Sequence, residues 1–116
     1  YKFIDSVSTE ISNGVEKIDV EVLPSKFSLI QNYPNPFNNE TTIKYEIPLT
    51  SDILIKIYDI VGREIFSKSF YNQKPGVKHF KWEGHDKKSE SVSSGVYFFQ
   101  ISDGENVRRM KMILLK

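Results

Sequence analysis

Thr41-Thr42-Ile43-Lys44-Tyr45-Glu46-Ile47-Pro48 decides the fold. Ile43, Tyr45 and Ile47 fall at every second position, with Thr42, Lys44 and Glu46 between them. A strand turns successive side chains to opposite faces, so this run has a dry side and a wet side. A helix would need apolar residues three or four apart. Pro48 ends the run. Downstream, Asp52–Ile60 repeats the pattern, with Ile53, Ile55 and Ile57 on one face and Leu54, Lys56 and Tyr58 on the other. Both of its faces are partly apolar, which places it centrally in a sheet. Val61-Gly62-Arg63 then reads as a tight turn, Gly62 supplying positive φ. Arg63–Phe70 returns as its hairpin partner, nearer an edge.

The same alternation extends outward. Phe27, Leu29 and Gln31 open a first run upstream. Asn72–Gly76 reads as a turn, and Val77–Trp82 brings Phe80 and Trp82 to one face. A polar loop over Glu83–Ser94 leads into Gly95–Ser102, the most apolar run, which belongs mid-sheet. Asp103-Gly104 is a hairpin turn. The last run, Asn106–Leu115, puts Met110, Met112 and Leu114 on one face. Eight Phe, six Tyr and one Trp, with no Ala at all, fit strands rather than helices. The expected fold is all-β: a seven-stranded Greek-key β-sandwich of immunoglobulin-like type.

The 116 residues make one domain. Residues 25–116 are assigned to it. Residues 1–24 read as a linker or the end of a preceding domain, with a short strand at 16–22 as the alternative. Because the chain starts at Tyr1 rather than Met, it is expected to be the excised or processed end of something longer. A net charge of +1 argues against a nucleic-acid binder. The absence of Cys removes disulfides, thiolate metal sites and cysteine nucleophiles. No apolar run is long enough for a membrane-spanning helix.

Catalytic chemistry finds little to work with, and an enzyme is not expected. His79 sits mid-strand between Lys78 and Lys81 and should face solvent. Glu83, His85 and Asp86 carry ligand atoms, but neighbours on one loop cannot all point inward, and no distant His or Cys completes a set. A solvated turn is the simpler reading, and no metal or cofactor is expected. Arg108, Arg109 and Lys111 read as a solvated face. Bottom-up, the chain is a binding or structural module.

Phe27–Lys116 resembles the C-terminal sorting domain of the type IX secretion system. The resemblance rests on Gln31-Asn32-Tyr33-Pro34-Asn35-Pro36-Phe37-Asn38 followed by Thr42–Pro48, and on Ile57-Tyr58-Asp59-Ile60-Val61-Gly62-Arg63. It continues through Trp82-Glu83-Gly84-His85-Asp86, Ser93-Ser94-Gly95-Val96-Tyr97-Phe98 and the ending Lys111-Met112-Ile113-Leu114-Leu115-Lys116. Two positions depart from the pattern: Glu83 stands where the family often has Asp, and Lys87–Glu90 stands where a Gly often follows. The resemblance implies a folded, immunoglobulin-like transport signal carried behind an N-terminal cargo domain. It implies passage through the periplasm, recognition by the outer-membrane translocon and its shuttle protein, and delivery to the cell surface or the medium. In many such proteins a sortase-like peptidase then removes the domain and attaches the cargo to the surface.

Two regions are candidates for contact with partners. In the Pro-rich run, Asn35, Pro36, Phe37 and Asn38 offer either a structural plug, with Phe37 closing the end of the sandwich, or a receptor contact. In the last run, Lys111, Met112, Ile113, Leu114, Leu115 and Lys116 form a final edge strand able to accept a partner strand, and a homodimer by the same pairing. Gly95, just before the apolar strand, completes the set, although a backbone requirement explains it most simply. Trp82 reads as core. The alternative function is a non-catalytic carbohydrate- or surface-binding module, with Tyr33, Tyr58 and Tyr71 as its platform. The flagellar-hook-capping type of immunoglobulin-like domain has a similar pattern around its glycine-valine-tyrosine strand.

Overall fold

The computed structural model describes residues 23–116. The expected linker, apart from Leu23 and Pro24, and the alternative strand at 16–22 lie outside the described residues. Seven strands follow in order: β1 (Ser28–Tyr33), β2 (Thr41–Ile47), β3 (Ser51–Tyr58), β4 (Glu64–Gln73), β5 (Gly76–Trp82), β6 (Gly95–Ser102) and β7 (Val107–Leu114). They form two antiparallel sheets, ordered β1-β2-β5 and β4-β3-β6-β7. The chain leaves the first sheet after β2, makes the β3–β4 hairpin in the second, and returns to put β5 beside β2. It crosses again to put β6 beside β3. These crossovers make the Greek key, and the fold is the expected all-β sandwich of immunoglobulin-like type.

Alternation decides which residues meet between the sheets. Ile43, Tyr45 and Ile47 of β2 and Ile53, Ile55 and Ile57 of β3 are each 1% exposed or less. Phe99 and Ile101 of β6 and Met112 and Leu114 of β7 are fully buried with them. Burying each such side chain contributes about 1.5–3 kcal/mol before chain entropy is counted. As expected, β3 and β6 are central and β4 is an edge.

Two strand ends and one register depart most from expectation. β3 ends at Tyr58, so Ile60 belongs to the turn and not to the strand. β4 runs on to Gln73 rather than stopping at Phe70. The Asp52 carboxylate accepts the Asn72 amide at 2.9 Å and Gln73 accepts the Tyr45 hydroxyl at 2.9 Å, which holds the extra residues to the sandwich. In β1 the register shifts between Leu29 and Gln31, so the apolar period is broken there.

The sheet edges carry charge turned inward. Lys68 of β4 stands opposite buried Ile55, its Nζ 5.5 Å from the Phe70 ring. Lys78 of β5 stands opposite Tyr45. Arg108 of β7 stands opposite Ile101 and lies 5.7 Å from the Phe27 ring. Inward charge on an edge makes docking of another sheet costly.

Aspartates build the turns. Asp59 accepts the amides of Val61 at 3.1 Å and Arg63 at 2.9 Å, and Asp86 accepts those of Lys88 and Glu90, both at 2.9 Å. At Asp59 partial desolvation pushes the carboxyl pKa up, but the Arg63 amide and guanidinium outweigh it and hold it below the usual range. At Asp86 the Glu90 amide, above all, holds it down. A folded-state pKa below the unfolded value gives stability that is present above about pH 4 and lost as pH falls through the folded value. The thermal midpoint should therefore stay level from about pH 7 to 5 and begin to fall below about 4. In Asp59→Asn/Asp86→Asn, circular dichroism melts should show a shallower acid limb, and an unchanged limb would remove these turns from the account.

Candidate functional site

Pro34 and Pro36 have no N–H and a fixed φ, so residues 34–38 cannot continue the β1 ladder. The chain instead crosses from β1 to the other sheet and lies along β7. Asn35 Nδ2 donates to the Lys111 carbonyl at 3.3 Å, and Asn35 Oδ1 accepts the Ile113 amide at 3.0 Å. The Phe37 amide donates to the Ile113 carbonyl at 2.9 Å, and the Leu115 amide donates to the Phe37 carbonyl at 2.8 Å. Phe37 and Leu114 form a parallel bridge. A carboxamide carries one acceptor and one donating nitrogen, as a peptide unit does, so the Asn35 side chain stands in for strand backbone.

The Phe37 ring is 2% exposed and sits 5.8 Å from the Trp82 ring, which in turn meets Tyr97 at 5.5 Å. Trp82 Nε1 donates to the His85 carbonyl at 3.0 Å, tying the loop after β5 beneath β7. Gly84 has φ +73°, and a Cβ there would stand 3.7 Å from Leu114 Cδ2. The Lys116 amide donates to Ser94 Oγ at 2.9 Å, and its ammonium bonds Ser91 Oγ. Four stretches from three distant parts of the sequence thus converge on one end of the sandwich: the Pro-rich run, Trp82–His85 with the nearby Ser91–Gly95, and Lys111–Lys116. A groove of about 540 Å³ there is lined by Asn38, Asn39, Glu40, Glu83, His85 and Lys116, among others.

The structure sorts the candidate residues. Phe37, Met112 and Leu114 are buried and hold the surface together. Asn35, Pro36, Asn38, Lys111, Leu115 and Lys116 are exposed, and Ile113 is half-buried. Gly95 stands opposite Leu114 in the ladder, with open space where a side chain would be. One expectation needs correcting. The Lys111 carbonyl, both Ile113 backbone groups and the Leu115 amide are not open to a partner strand, because Asn35 and Phe37 already bond them. On β7 the stretch beyond that cover, Val107–Arg109, carries the inward Arg108.

The other candidates disperse. His79 is exposed, as expected. Asp86 turns its carboxylate into its own loop, and among the described residues no three His, Cys, Asp or Glu are grouped to hold a metal. Tyr33 and Tyr71 are 72% and 74% exposed but lie on different sheets, and Tyr58 is half-buried, so the three make no single platform. Sequence reasoning missed the roles of Ser91 and Ser94, which bond Lys116; Ser94 falls within a quoted motif, but its partner lies 22 residues away.

Residues 31–115 match the family described as the secretion system C-terminal sorting domain. The chain belongs to that family. The sorting domain is a folded C-terminal signal of the type IX secretion system, and it directs export across the outer membrane to the cell surface or the medium. Such sorting domains are generally non-catalytic. No curated protein matches the chain significantly. Among solved structures it is similar to PorU of Porphyromonas gingivalis, described as dimeric and latent, at TM-score 0.59 and 22% identity, over 81% of this chain and 10% of that one. It is similar to PorZ of the same organism, described as an essential surface component of the type IX system, at TM-score 0.53 and 20% identity, over 74% of this chain and 11% of that one. FlgD of P. aeruginosa matches at TM-score 0.53 and 16% identity, over 78% of this chain and 66% of that one. The chain thus spans only about a tenth of the first two. At these identities the likeness is one of fold.

Proposed function

We propose that the type IX translocon and its shuttle protein read the sorting domain as a folded unit, in the periplasm, through the composite surface at the β7 end. One observation supports this reading above others. Four hydrogen bonds join the Pro-rich run to the C-terminal strand across more than seventy residues of sequence. Asn35, Pro36 and Asn38 therefore share a surface with Lys111, Ile113, Leu115 and Lys116 only while the domain is folded. Recognition by these side chains needs no open strand edge. A homodimer through Lys111–Leu115 would have to displace Asn35 and Phe37, which disfavours that pairing. In many proteins with such a tail a sortase-like peptidase then removes the domain from its N-terminal cargo, and others are released.

A fluorescent protein targeted to the periplasm, with this chain fused behind it, tests the reading in a bacterium that has the type IX machinery. The fusion should reach the surface or the medium, and should stay inside a strain lacking the translocon. Retention of a fusion shown to be folded would count against recognition of this surface.

A further inference from the structure

The β3–β4 turn presents apolar side chains where a turn is ordinarily polar. Ile60 and Val61 are each 70% exposed. The turn that carries them is rigidly built. Asp59 and Arg63 exchange backbone bonds with the turn, Gly62 N to Asp59 O and Asp59 N to Arg63 O both at 3.0 Å. The Asp59 carboxylate binds two further amides and the Arg63 Nε at 2.7 Å. Gly62 takes φ +91°, which a side chain would strain. Nothing in this bonding needs apolar residues at 60 and 61.

Beside the tip runs a groove of about 310 Å³, lined by Ile60, Val61, Val92, Ser94, Gly95 and Val96, among others. Ser94 accepts the Lys116 amide, so the groove continues into the C-terminal surface. Around the tip Lys56 and Lys87 share the single carboxylate of Glu64, while Arg63 pairs with Asp59.

We propose that Ile60 and Val61 form a preset prong that inserts into an apolar recess on a protein partner of the export step. The proposal rests on the sorting reading above and names a second contact for it. β-Branched side chains on a rigid turn lose little freedom on burial, which is what an anchor residue needs. A bilayer is a poorer occupant. A whole myristoyl chain holds a protein to a membrane only marginally, and the two side chains have about half its carbons. Nor is Trp or Tyr on the tip to anchor it at an interface. A second copy is poorer too, since two tips meeting would bury far less than the roughly 1,200 Å² of a stable complex. With a protein partner, the adjoining groove and C-terminal surface supply the remaining area.

The test uses the full-chain reporter fusion with Ile60→Ser/Val61→Ser and, as control, Ile60→Val/Val61→Ile. The serine pair should melt with the wild type, since both positions are exposed, while its export falls on the order of tenfold, the loss expected of an anchor. The control should retain export. Wild-type export together with equal export of the serine pair overturns the prong and leaves the sorting reading standing. Failure of the wild type itself sinks that reading instead. Two companion measurements on the purified chain can also overturn the proposal. One is binding to phosphatidylglycerol vesicles that the serine pair abolishes. The other is a dimer in sedimentation that the serine pair dissolves.

Discussion

Phe37→Ala should destabilise the sorting domain by about 3–5 kcal/mol, the range for deleting a buried aromatic side chain. The ring is buried against Trp82, and Trp82 packs on Tyr97, so the cavity would open at the junction of both sheets. The main chain at this position also bonds Ile113 and Leu115, and its placement depends on the ring staying docked. Urea unfolding should report the loss directly, and a cost under about 1 kcal/mol would mean that Phe37 does not close the sandwich. The same variant should lose export, because the Pro-rich run and the C-terminal strand would no longer present one surface. Asn35→Ala separates the two effects. It removes two bonds from an exposed side chain, worth about 1 kcal/mol each, and leaves the aromatic cluster in place. Export lost in Asn35→Ala with the fold retained would place the effect at the surface rather than in the core.

Legibility followed the physics of each element. β2, β3 and β6 are read directly, because each has one face against the other sheet and writes that burial as a period of two. The reading fails where a residue's partner is distant in sequence or where the period is interrupted. The bulge between Leu29 and Gln31 blurs β1. The end of β4 is held by Asp52 and Tyr45, which no local pattern near Gln73 announces. The largest gap concerns the edge of β7. Alternation identifies Lys111–Leu115 as a last strand with its buried and outward faces correctly assigned. It cannot show that Asn35, 76 residues away from Lys111, already occupies the outward backbone. The Pro-rich run suggests a plug at Phe37, and Phe37 is indeed buried, but a side-chain amide substituting for strand backbone has no sequence signature. The same alternation absorbs Ile60 into β3, so of the two apolar turn residues only Val61 is legible in the sequence.

The C-terminal surface makes the second large prediction, and the choice of variant decides what it can teach. Deleting Lys111–Lys116 removes Met112 and Leu114, both fully buried. Losing each should cost about 2–5 kcal/mol, so the pair costs a large part of the roughly 5–15 kcal/mol that holds a domain folded. That truncation should abolish export and folding together, and it cannot separate a handle from a core. The outward set can. Lys111→Ser/Ile113→Ser/Leu115→Ser/Lys116→Ser leaves Met112, Leu114 and the bonds from Asn35 and Phe37 in place, since those bonds reach only backbone. It should stay cooperatively folded, with its melting point lowered by a few degrees at most, of the order that 1 kcal/mol produces in a domain this size. Its export should nonetheless fall at least about tenfold, as expected when a contact surface loses its anchoring side chains. If this variant is exported as well as the wild type, the side chains of the last strand are not what the machinery reads, and the strand serves the signal only by holding the fold together.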